Sequence, residues 1–85
     1  MSHLNEQTLK DILWYIQKYK VTPKNIPGCD QEELREHFTY LVNQHLIVGE
    51  SVIRTEGSEE VHDVMIPKLT QEGHHFLGDL KIPAP

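Results

Sequence analysis

Cys29 is the only cysteine in this chain of 85 residues, so no internal disulfide can form. It stands between Gly28 and Asp30 with no base nearby in the sequence. Thiolate activation needs such a partner, so Cys29 is expected to be chemically idle. No apolar run approaches the roughly 18 to 20 residues of a membrane span. The first residues, Met1-Ser2-His3-Leu4-Asn5-Glu6, have neither the basic start nor the apolar stretch of a secretory signal. A cytoplasmic location away from membranes is the resulting expectation. Glycines 28, 49, 57, 73 and 78 never assemble a phosphate loop, and there is no internal repeat or low-complexity segment. Basic side chains are also scarce. Eight Lys and Arg face thirteen Asp and Glu, a net charge of -5, which opposes the basic face usual in nucleic-acid-binding proteins.

The rest of the composition, 38% hydrophobic and 25% charged, is that of a soluble globular chain. Its length suits one domain, which buries only roughly 60 to 65% of the surface its unfolded chain exposes. Asn5 can cap a first helix over about Glu6 to Lys20, with Leu4 and Leu9 spaced as a hydrophobic staple. Leu9, Ile12, Leu13 and Ile16 form its inward stripe, and Lys18 and Lys20 suit its negative end. Trp14 and Tyr15 fall off the stripe. They either cover the side of a later hairpin, the favoured expectation, or form an exposed patch.

Pro23, Pro27 and Gly28 exclude a full helix between Val21 and Cys29. Asp30 and Glu33 have capping-box spacing, so a second helix starts there and buries Leu34, Phe38 and Leu41, with His37 and Val42 at its margins. A left-handed His45 would set Leu46 on Leu41 in a Schellman end. Ile47 to about Thr55 favours one strand, and Val61, Val64, Met65 and Ile66 a second, with Glu56-Gly57-Ser58-Glu59 turning between them. Pro67 is expected to end the second strand. Thr70 then caps a short last helix with Gly73, Phe76, Leu77 and Leu80 on one face, preceded by Leu69.

The order helix, helix, strand, strand, helix is that of an α+β winged helix whose middle helix is shortened or missing. The domain is expected over residues 1–82, with an extended tail at 83–85. Two runs carry a family resemblance: Glu36-His37-Phe38-Thr39-Tyr40-Leu41-Val42-Asn43-Gln44-His45-Leu46-Ile47 and Leu69-Thr70-Gln71-Glu72-Gly73-His74-His75-Phe76-Leu77. They resemble the patterns H-x-x-x-L-x-x-x-G-L-I and L-T-x-x-G-H-x-F-L of short bacterial and prophage proteins of unknown function. The similarity runs from about Thr8 to Leu80. It implies a winged helix and brings no activity with it, and it departs from the family at His45, where glycine is usual.

Six histidines invite a metal hypothesis, yet neither H-x-x-x-H nor C-x-x-C spacing occurs. Adjacent His74 and His75 diverge by about 100° on a helix and chelate poorly together. His74 is expected at the edge of the last helix and His75 in solvent. Carboxylate pairs such as Glu32 with Glu33 or Glu59 with Glu60 fall on exposed segments, where they stay ionised and solvated. No metal, cofactor or enzymatic activity is expected.

Two binding classes remain. The expected one is a protein-interaction module, with Trp14, Tyr15 and Tyr40 as aromatic anchors and Glu32 and Glu33 facing a basic partner; a homodimer is a variant of it. The alternative is a DNA-binding regulator using Lys18, Lys20, Lys24, Gln31, Arg35 and Arg54. Charge opposes duplex DNA: Arg35 stands among four carboxylates between Asp30 and Glu36, and Arg54 among Glu50, Glu56, Glu59 and Glu60.

Overall fold

The computed structural model describes residues 4–78. Helix α1, Glu6–Tyr19, starts as its sequence dictates: Asn5 is extended, and its side-chain oxygen accepts from the Thr8 amide at 3.1 Å. Leu9, Ile12, Leu13 and Ile16 are all buried. Lys20 closes the helix in the left-handed region (φ 65°) and donates its amide to the Ile16 carbonyl at 2.8 Å. The segment from Lys20 to Asp30 carries no helix. A turn at Pro27-Gly28 bridges Ile26 to Cys29, and buried Pro23 and Ile26 anchor the segment to the core.

Helix α2, Gln31–Asn43, opens with the capping box. The Asp30 carboxylate accepts from the Glu33 amide at 2.8 Å, and the Glu33 carboxylate accepts from the Asp30 amide at 3.1 Å. His37 is not marginal as the spacing predicts: it is only 2% exposed, beside Leu34, Phe38 and Leu41. Apolar periodicity undervalues it because its polar atoms are both satisfied. Nε2 accepts from the Asn5 amide at 3.0 Å, and Nδ1 therefore bears the proton and donates to the Glu33 carbonyl at 2.6 Å. His37 thus ties the start of α1 to α2. The helix ends in a Schellman motif: His45 has φ 59°, Leu46 donates to the Leu41 carbonyl at 2.9 Å and His45 to Val42 at 3.0 Å.

Four short strands follow, where the sequence suggests two. β1 (Ile47–Val48) pairs with β4 (Lys68–Leu69), and β2 (Ser51–Arg54) with β3 (Val61–Met65), both antiparallel. One register runs through Ile47↔Leu69, Val48↔Lys68, Ser51↔Met65 and Ile53↔Asp63, so the two sheets are one hairpin interrupted midway. The interruption has local causes. Pro67 has no amide to donate, Ile66 is left-handed (φ 52°), and Gly49 sits so close to the Val64 side chain and the Met65 carbonyl that a Cβ would not fit. Pro67 therefore interrupts its strand and does not end it. At the tip Gly57 (φ 77°) supplies the turn, and Thr55 donates to the Glu60 carbonyl at 2.8 Å.

Helix α3, Gln71–Leu77, is fastened to the end of α2. The Thr70 amide donates to the Leu46 carbonyl at 3.1 Å, and its hydroxyl donates to the His45 carbonyl at 2.6 Å while accepting from the Gly73 amide at 3.0 Å. Gly73 lies against the Leu46 carbonyl with no room for a Cβ. The runs 36–47 and 69–77 thus meet here, with Ile47 facing Leu69. Among the described residues the architecture is α+β: three helices and two small antiparallel sheets around one core drawn from α1, α2 and the hairpin. Leu80, the domain boundary at residue 82 and the tail at 83–85 lie outside the described residues.

Candidate functional site

The residues expected to touch DNA lie on α2, near the hairpin tip, at the end of α1 and in the segment after it, and most are held by their own chain. Arg35 Nε is 3.4 Å from a Glu60 carboxylate oxygen, and Arg54 pairs with Glu59 at 3.8 Å while also donating to its carbonyl. Lys24 Nζ is 3.3 Å from Asp63, Gln31 donates its side-chain amide to the Lys24 carbonyl at 3.0 Å, and Lys20 donates to the Gln17 carbonyl at 2.8 Å. Lys18 lies over the rings of Trp14 and Tyr19, 5.7 and 5.8 Å from their centroids. Exposed pairs of this kind add at most about 1 kcal/mol each to stability, but they cancel the charge a phosphate would meet.

Asp63 is the centre of the best-connected of these groups. Thr22 is buried and donates its hydroxyl to Asp63 Oδ1 at 2.6 Å, the Val64 amide donates to the same oxygen at 2.8 Å, and Lys24 approaches Oδ2. Burial pushes the Asp63 carboxyl up. The hydrogen bonds from Thr22, the Val64 amide and Lys24, with the Lys24 charge, outweigh it and hold the group below its ordinary 3.8. Asp63 therefore locks the connection between α1 and α2 to β3 and occupies an amide that an incoming strand would need.

The expected protein-binding residues divide among three places. Trp14 does not cover the hairpin. It is 50% exposed and meets Tyr19 edge-to-face at 6.2 Å, while Tyr15 packs on Tyr19 with centroids 4.7 Å apart. Lys18 lies over the Trp14 and Tyr19 rings at the helix end, off the buried stripe of α1, which leaves Trp14 in solvent and not as the expected cover of the hairpin. Tyr40 lies elsewhere, lining a cavity of about 330 Å³ with Leu4, Glu36, Glu59 and Glu60. Glu33 is occupied by the capping box, which leaves Glu32 as the exposed carboxylate of that pair.

Sequence periodicity does not reveal the surface that continues from the aromatic cluster. Tyr15 opens onto a groove of about 500 Å³ between Val21, Thr22 and Lys24 on one side and Val64 to Pro67 on the other. A second groove of about 520 Å³ continues past Ile66 and Pro67 to Val48 and Lys68. Val21, Met65 and Ile66 are 51%, 47% and 64% exposed. Ile66 is the more unusual for being β-branched at positive φ, a conformation that costs about 1–3 kcal/mol and clusters at working surfaces. Met65 faces outward by the ordinary alternation of β3 after buried Val64, whereas Ile66 is turned outward by the interruption before Pro67.

The histidines and Cys29 do not build a second site. Among the described residues no group of three or more His, Cys, Asp or Glu side chains converges on a metal-sized space. His74 is half-buried and His75 exposed, as expected. Burial pushes the Cys29 thiol up, and the Glu33 and Asp30 charges push it further, so it is a thiol at neutral pH. No helix among the described residues is long and apolar enough to cross a membrane. Compared with known proteins, the chain matches no family model, no curated protein and no solved structure.

Proposed function

We propose that the chain is a small winged-helix protein that works by binding another protein, not by catalysis. The order helix, helix, interrupted hairpin, helix supports the winged-helix reading, with the Lys20 to Asp30 segment in place of the middle helix. The observation that carries the binding mode is the half-exposed cluster of Trp14, Tyr19 and Tyr15, which runs into the apolar groove beside Ile66. Exposed aromatics that adjoin a groove are the usual anchors of protein interfaces, and monomers rarely leave such contiguous apolar surface open.

DNA-binding regulation is the second reading, favoured only by the fold analogy. The pairing of Arg35, Arg54 and Lys24 with Glu60, Glu59 and Asp63 argues against it. Fluorescence anisotropy of a labelled mixed-sequence duplex at low salt tests the choice. The wild type is expected to bind more weakly than about 10⁻⁴ M, the loose end of non-specific association. Glu59→Gln with Glu60→Gln frees two arginines and is expected to bind more tightly. Micromolar wild-type binding that falls steeply with salt and weakens in Arg35→Ala and Arg54→Ala would replace the protein-binding reading with the regulator.

A further inference from the structure

The groove beside Ile66 has a charge opposite to that of the molecule. The chain carries a net -5, yet Lys20, Lys24 and Lys68 stand on the groove and its continuation against Glu50 and Asp63 alone. The Asp63 charge is offset by Lys24, which leaves Lys20 and Lys68 facing Glu50 alone, a small positive excess around an apolar floor. A second copy of this chain placed face to face would bring like charges together. A basic partner would meet the same repulsion, and specificity in interfaces is set by such complementarity.

We infer that this groove receives a short acidic segment of a partner protein, with apolar side chains seated against Tyr15, Val21 and Ile66 and carboxylates facing Lys20 and Lys68. The groove volumes fall within the roughly 300–1,000 Å³ that bury most of a small ligand. Side chains carry the contact, because Asp63 already takes the Val64 amide and so opposes addition of a strand at that point of β3. The left-handed backbone at Ile66 holds its side chain out of the core and in the path of the ligand. This inference rests on the protein-binding reading and names the chemistry of its partner, which is acidic and not the basic partner suggested by Glu32 and Glu33.

A random peptide library displayed on phage and panned against the immobilised full-length protein tests it. Two variants accompany the wild type: Val21→Ser with Ile66→Asn, and Lys20→Glu with Lys68→Glu. All four positions are exposed, and asparagine accepts positive φ better than isoleucine, so the first variant is expected to fold normally. Peptides combining apolar residues with Asp or Glu are expected to be enriched. Their affinity should fall roughly tenfold or more on the first variant, the loss typical of removing anchor contacts. The charge-reversed variant should bind them more weakly still as salt is lowered. Basic peptides that ignore both variants would overturn the groove while leaving a protein-binding module in place. No enrichment, together with micromolar duplex binding by the wild type, would overturn both. Concentration-dependent self-association abolished by Val21→Ser with Ile66→Asn would assign the groove to a second copy and overturn the acidic segment.

Discussion

His37 and Asp63 each join two parts of the chain that are far apart in sequence, and each does so through polar atoms that leave no trace in hydrophobic periodicity. His37→Leu keeps most of the buried volume but abandons the Asn5 amide and the Glu33 carbonyl. It is expected to cost about 1–3 kcal/mol, measured by urea unfolding, the usual penalty for unsatisfied buried groups. Asp63 gives a pH signature. Its carboxyl is held below 3.8 when folded, so its contribution is complete above the unfolded value and is lost as pH falls through the folded one. Asp63→Asn is therefore expected to lower the thermal midpoint at neutral pH and to make its decline below about pH 4 shallower than in the wild type. Parallel curves for the two proteins would show that Asp63 contributes nothing as an ion.

At the scale of elements, the closing helix depends on one close approach. Gly73 is in a helix, where alanine would ordinarily be better by about 1 kcal/mol, yet a Cβ there would collide with the Leu46 backbone. Gly73→Ala is accordingly expected to destabilise by about 1–3 kcal/mol, the range for overpacked sites, with the loss read in thermal unfolding. The Leu69-Thr70-Gln71-Glu72-Gly73 run is thus explained by fastening α3 to the end of α2, not by a binding role. Helix starts and ends were legible because capping is local chemistry: Asn5, Asp30 with Glu33, Thr70 and the His45 Schellman end all stand where their side chains predict. The hairpin was half legible. Its strands and turn follow from the residue pattern, but the register shift between Ile53 and Arg54 and the break where Gly49 faces Pro67 depend on residues distant in sequence. That break exposes Ile66 beside the outward-facing Met65, so the groove could not be read from either strand alone.

Across the whole molecule, composition set the right sign of charge but not its distribution. The acidic average hides a basic rim at the end of α1 and around the hairpin break, while the cations of α2 and the hairpin tip are neutralised by nearby glutamates. Trp14 and Tyr15 were visible as departures from the inward stripe. Tyr19, which joins them into one cluster, was not, because its position depends on where the helix ends. In the proposed binding mode this face, and not α2 with the hairpin tip, meets the partner. An amide NMR map of the labelled protein with and without mixed-sequence duplex DNA at low salt tests it most directly. The spectrum is predicted to stay unchanged at high DNA concentration. Shifts confined to α2 and the hairpin tip, and erased by moderate salt, would contradict it.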